Sequence, residues 1–254
     1  MIFIRSTVFM AVSILITMYY GTLGIVGLCF FVKPLTRHRW VTRWCPVMMW
    51  AVQHILGLRY RVIGQENIPA KPAVVVSKHQ SAWETIGLQV IFPPLSFILK
   101  RELLWIPFLG WALASIRAIA IDRKAGQNAL TQVVDQGRER LKEGLWVAVF
   151  PEGTRVAPGV SGDYRPGGAF LAKRASVPVV PVAHNAGEFW GRGAFLKYPG
   201  EIIVSIGTPI ETKGIRAEEI NRRAKEWIEN EMARLFPHHY QNGGATQEGK
   251  ENNQ

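Results

Sequence analysis

Two short segments carry side chains whose types and order can do chemistry. The first is Lys78-His79-Gln80-Ser81-Ala82-Trp83-Glu84-Thr85, directly after an apolar run at 73–77. An imidazole accepts a proton near neutral pH, and a carboxylate on one ring nitrogen fixes the tautomer in which the other nitrogen is the base. His79 and Glu84 are five residues apart, so one continuous helix would turn them away from each other. They meet only if His79 lies in a strand-to-helix turn and Glu84 in the first turn of the helix. Ser81-x-x-Glu84 also reads as a capping box, in which Glu84 simply closes the helix start. Ser81 lacks a Gly-x-Ser-x-Gly elbow, so covalent serine catalysis is not indicated.

The second segment is Phe150-Pro151-Glu152-Gly153-Thr154-Arg155, after another apolar run at 146–150. Pro151 and Gly153 shape a tight turn. That turn would bring Glu152, Thr154 and Arg155 to the edge where His79 lies, because the carboxyl ends of strands line the ligand crevice of an open α/β sheet. A guanidinium fork grips a phosphate with two parallel hydrogen bonds.

These positions need a scaffold, and the hydrophobic pattern supplies one. Short β-branched runs at 61–64, 73–77, 96–99, 118–121, 146–150, 177–182 and 201–206 read as strands. Helical patterns fall at 83–92, 127–142, 168–175 and 217–236. Their alternation predicts an α/β domain with a mainly parallel or mixed sheet flanked by helices. The apolar stretch 103–111, with Trp105 and Trp111, suits either an acyl-chain channel, a membrane-facing patch or plain core.

Ahead of that domain, residues 6–32 carry no charge, a length that spans a bilayer as a helix. Lys33, Arg37, Arg39 and Arg43 follow and place that side toward the cytoplasm. Residues 40–58 are apolar again, interrupted by Pro46, and read as an interfacial helix. The two segments form a hairpin that crosses the bilayer or dips into one leaflet. The chain therefore divides into membrane-anchoring helices (1–58), the α/β domain (59–237) and a disordered polar tail (238–254).

The 254 residues carry a net charge of +11, which favours anionic partners. No nucleic-acid module is present, and the apolar N-terminus points to lipid instead. Cys29 and Cys45 have no Cys-x-x-Cys spacing or neighbouring ligands, so neither a disulfide framework nor a metal site is expected.

Four blocks, in order, resemble the lysophosphatidic acid acyltransferase family, the 1-acylglycerol-3-phosphate O-acyltransferases. They are His79 to Glu84 (where the family more often has Asp), Arg117-Ala-Ile-Ala-Ile-Asp122-Arg123, Phe150 to Arg155, and Val177-Pro-Val-Val-Pro-Val182. The family's Lys-x-Glu-Leu segment stands as Lys100-Arg101-Glu102-Leu103. The resemblance implies a glycerolipid acyltransferase-like fold, with His79 and Glu84 as the catalytic pair. It implies Arg155 and Lys100 as phosphate contacts, Glu152, Gly153 and Thr154 shaping that pocket, and Arg123 as a further contact. The implied reaction moves an acyl group from acyl-CoA or acyl-carrier protein to a lysophospholipid, giving phosphatidic acid in phospholipid synthesis without a cofactor. The implied place is the inner membrane, with the catalytic domain on its cytoplasmic face. A lyso-ornithine lipid or glycerol-3-phosphate is the alternative acceptor.

Overall fold

The computed structural model describes residues 1–92, 94–122 and 125–240. Arg123 and the tail from 241 onward lie outside the described residues. Seven strands form one mixed sheet: β1 (Leu58–Ile63), β2 (Val74–Ser77), β3 (Leu95–Lys100), β4 (Ile119–Ile121), β5 (Trp146–Val149), β6 (Val179–His184) and β7 (Gly200–Ile206). Their order is β1-β7-β6-β2-β5-β3-β4. From β6 to β4 every pairing is parallel, whereas β7 runs antiparallel to β6 and pairs parallel with β1.

The central strands β2, β5 and β6 are buried along their whole length. This is why they read as continuous apolar runs rather than as alternation. The two-residue period survives in which core each side chain enters. Val75, Ala148, Val180 and Val182 face one core; Val74, Val76, Val147 and Val149 face the other. The second core is closed by helices α6 (Gln127–Lys142), α7 (Gly167–Ala175) and α9 (Ala217–Leu235). The apolar face of α9 is Ile220, Ala224, Ile228 and Met232, all at most 1 % exposed. That is the i, i+4, i+8 spacing of one helical stripe.

The first core is closed by α4 (Trp83–Ile91) and by the N-terminal segment. Helix α1 (Ile2–Cys29) is the described helix long and apolar enough to cross a membrane, over Ile2–Gly27. Then come α2 (Pro34–Thr42) and α3 (Trp44–Ala51), the latter running into a π turn at Val52–Leu56. Pro46 does not interrupt the helix: it sits in the first turn of α3, where no intrahelical N–H is required of it. Gly57, at φ +72°, stops the turn and starts β1.

These N-terminal helices are built into the fold. Ala51, Val52 and Leu56 are fully buried in the same core as the sheet, while Trp40, Val47 and Trp50 stay exposed. Helix α1 lies against α5 (Leu109–Ser115). The close approach needs glycine: a Cβ on Gly21 would stand 2.4 Å from the Phe108 carbonyl oxygen. The outer face of α1 exposes Phe3, Ile4, Ile14, Leu15 and Tyr19.

Candidate active site

The carboxyl ends of three adjacent strands, β2, β5 and β3, set the chemistry-bearing residues side by side. His79 follows β2, Arg155 follows β5, and Lys100 ends β3. All three line one cavity of about 550 Å³.

His79 occupies the turn between β2 and α4, and its Nδ1 lies 2.5 Å from Glu84 Oε1 in the first turn of α4. The same carboxylate accepts the backbone N–H of Gln80 at 2.9 Å and of Ser81 at 2.9 Å. Ser81 Oγ in turn accepts the Trp83 N–H. One carboxylate therefore holds both the backbone of the turn ahead of α4 and the imidazole. It closes the helix start, and the closing fixes the carboxylate against the imidazole. A partner at Nδ1 leaves Nε2 as the acceptor nitrogen of the ring. The ring stacks on Phe150, with centroids 4.1 Å apart, and its side chain is 13 % exposed.

Beneath His79 lies a buried charge network. Lys78 is wholly buried, and its Nζ meets Glu152 Oε1 at 2.7 Å, Glu229 Oε1 at 2.8 Å and the Val160 carbonyl at 2.8 Å. The ammonium donates hydrogen bonds to Glu229 and Val160 and forms an ion pair with Glu152. Glu152 Oε2 accepts the His79 backbone N–H at 2.8 Å. Burial pushes the Glu152 carboxyl upward, against the pull of Lys78. Expected as part of the phosphate pocket, Glu152 instead turns its carboxylate inward to Lys78 and His79. Its side chain is fully buried, and a carboxylate facing a phosphate would repel it. On the other side, His184 donates from Nε2 to the Lys78 carbonyl at 2.9 Å and accepts the Ala186 N–H at Nδ1. Burial lowers its pKa, against the pull of Glu84.

The remaining residues of the second segment do reach the cavity. Gly153 turns the chain at φ +67°, and Gly153, Thr154 and Arg155 all line the space. Arg155 Nε is buried and has no acceptor among the described residues. Arg192, from the loop after β6, also lines the cavity and lies 3.5 Å from the Arg155 carbonyl. Away from these cations the lining is apolar, with Val41, Trp44, Leu109, Leu113 and Ile116 among its residues. Residues 103–111 therefore divide. Leu103 and Leu109 face the cavity, while Trp105 is 74 % exposed.

Reading the sequence did not single out Lys78, His184, Arg192 or Glu229. Lys78 adjoins the His79 segment, and His184 stands two residues past the apolar run 177–182; those were the available signals. Nothing local marks Glu229, which lies 151 residues from Lys78.

An imidazole held by a carboxylate, beside cations and apolar lining, is the arrangement found in this cavity. Residues 59–185 match the family model described as Acyltransferase. The chain is 46 % identical over 242 residues to the 1-acyl-sn-glycerol-3-phosphate acyltransferase of Pseudomonas aeruginosa, covering 92 % of each. It is 30 % identical over 215 residues to the enzyme of that name from Saccharomyces cerevisiae, covering 82 % of this chain and 69 % of the relative. It is 31 % identical over 193 residues to the human alpha form, covering 75 % and 68 %. The crystal structure of the 1-acyl-sn-glycerophosphate acyltransferase of Thermotoga maritima shares the fold, with a TM-score of 0.76 at 24 % identity, covering 91 % of this chain and 95 % of that one. The chain belongs to the 1-acyl-sn-glycerol-3-phosphate acyltransferase family.

Proposed function

We infer that this protein acylates lysophosphatidic acid to phosphatidic acid at the cavity between His79 and Arg155. Homologues named for that reaction and the site's layout agree. The observation that carries the reading is one cavity holding both a carboxylate-oriented imidazole and an unpaired buried guanidinium nitrogen.

The steps follow from the parts. His79 Nε2 takes the proton of the acceptor hydroxyl as its oxygen attacks the thioester carbonyl carbon of the donor. Glu84 stabilises the imidazolium that forms. The tetrahedral intermediate collapses, the C–S bond breaks, and His79 returns the proton to the leaving thiolate. Arg155 and Lys100 hold the acceptor phosphate. Gly153 and Thr154 shape the turn that presents Arg155, and Arg123 serves as a further cation. The apolar part of the cavity takes an acyl chain. The donor is an acyl thioester, acyl-CoA or acyl-carrier protein, and the chemistry calls for no cofactor.

The protein associates with membranes through α1, whose exposed apolar face suits lipid. The basic residues Lys33, Arg39 and Arg43 favour the cytoplasmic face of an inner membrane.

The test is an assay of purified protein in detergent. It compares lysophosphatidic acid, a matched acceptor without phosphate, lyso-ornithine lipid and glycerol-3-phosphate, each with both donors. Strong preference for lysophosphatidic acid supports the reading; equal or better use of another acceptor overturns it.

A further inference from the structure

Glu188, His238 and His239 come together away from the reaction centre. Glu188 lies on α8 (Ala186–Phe189), just past β6, and the two histidines lie on the 3-10 turn Pro237–His239 that follows α9. His239 Nε2 is 2.9 Å and His238 Nε2 is 3.5 Å from the same oxygen, Glu188 Oε1. One donor atom from each residue lies within 4.8 Å of the others. Ligand atoms ~2.1 Å from a tetrahedral ion stand roughly 3.4 Å apart, and the two separations to Glu188 Oε1 lie on either side of that value.

We propose that Glu188, His238 and His239 bind one divalent transition-metal ion of the zinc type, with water completing the coordination. Two imidazoles and a carboxylate suit Zn2+, Ni2+ or Co2+ and disfavour Mg2+ and Ca2+, which prefer all-oxygen shells. The ion acts as a brace and takes no part in acyl transfer. One segment it would join touches the His79 turn directly, and the other reaches it through Gly159 and Val160. On one side, the Gly187 N–H points to Gln80 Oε1 at 3.4 Å, and Gln80 N–H is held by Glu84. On the other, Gly159 sits so close to the 3-10 turn that a Cβ would stand 2.7 Å from the His239 carbonyl oxygen, and neighbouring Val160 accepts from Lys78. A plain ion pair between Glu188 and His239 is the competing account, and it predicts no affinity for metal.

The experiment is calorimetric titration of the full-length, untagged, chelator-treated protein in detergent with Zn2+, and separately with Mg2+. One Zn2+ should bind per chain, and Mg2+ should not bind. A hundredfold excess over Kd should raise the melting temperature by about 5–10 °C. The clean variant is His238→Ala, because that side chain is 60 % exposed and its loss leaves the core intact. It should weaken Zn2+ binding by ~tenfold or more and keep metal-free turnover near wild type. Glu188→Gln should weaken binding likewise. Absence of saturable Zn2+ binding, equal binding of Mg2+, or unchanged Zn2+ affinity in His238→Ala would each overturn the proposal.

Discussion

Glu229, on the last long helix, ion-pairs at 2.8 Å with Lys78, the residue just before His79. Through Lys78 and Glu152, helix α9 therefore holds the backbone of the turn that carries His79. Lys78→Met would leave the buried Glu152 carboxylate, and the part-buried Glu229 beside it, without their cation, a change that typically costs about 3–5 kcal/mol. For a chain of this size that lowers the melting temperature by roughly 6–20 °C. Glu229→Gln keeps an oxygen for Lys78 and for Tyr164, which donates to it at 2.9 Å, and should cost far less. Differential scanning fluorimetry of the two variants checks the order; equal melting temperatures would refute it.

Glu84 carries two duties on one carboxylate, so its variants should fail in two ways. Glu84→Gln can donate to Nδ1 and so favour the wrong tautomer. Turnover should fall about 10²- to 10⁴-fold, with a small loss of stability from the weakened cap. Steady-state kinetics beside thermal melting separates the two effects. A stability loss with unchanged kcat would leave Glu84 as a helix cap alone.

Arg155→Ala should lower kcat/KM for lysophosphatidic acid by ten- to over a hundredfold. That is the span of about 1.5–3 kcal/mol for a charge-assisted hydrogen bond. Arg155→Lys should recover only part of the loss, because an ammonium cannot make the planar fork. A matched acceptor without phosphate should be used equally by wild type and variant. An equal loss on both acceptors would assign Arg155 to the donor or to the fold.

His184 links stability to pH. Its pKa is lowered in the folded protein, chiefly by burial, so the unfolded chain binds its proton first as pH falls. The contribution is full above the ordinary histidine value of ~6.5 and is lost as pH drops below it. His184→Gln preserves a donor for the Lys78 carbonyl but does not titrate. The gap in melting temperature between wild type and variant should therefore narrow or reverse from pH 7.5 to pH 5. A constant gap would contradict the assignment.

Much of this was legible because local pattern and tertiary role agreed. All seven strands fell near their expected places; the clearest were β2, β5 and β6, because fully buried strands write themselves as runs of Val, Ile and Ala. Helix α6 matched its expected bounds at both ends. Helix α5 was not foreseen: Pro107 precedes it, Gly110 sits in its first turn, and its apolar residues divide between the cavity and the exposed surface, which blurs any period. The closeness of His79 and Arg155 could be inferred from strand ends. The inward turn of Glu152 could not, because its partner Lys78 is itself buried through Glu229, far along the chain. Residues 40–58 read as an interfacial helix, yet their buried face is shared with the sheet. That sharing depends on a tertiary partner and leaves no local mark.

The same sharing makes a prediction. Removal of residues 1–58 would strip Ala51, Val52 and Leu56 from the core and take Thr17, Trp44 and Cys45 from the cavity wall. The truncated chain should aggregate rather than work as a soluble enzyme. Gly21→Leu should push α1 off Phe108 and lower activity while membrane association persists. Sedimentation with membranes, run beside the acyl-transfer assay, checks both; a soluble active truncate would contradict the account.

The most direct measurement is turnover of lysophosphatidic acid by His79→Ala. The side chain is a proton acceptor at the cavity wall and carries little of the core, so the variant should fold and keep wild-type membrane association. Its kcat should fall by ~10²- to 10⁴-fold, the usual worth of a general base. Near-normal kcat in a folded His79→Ala protein would contradict the assignment of His79 as the base.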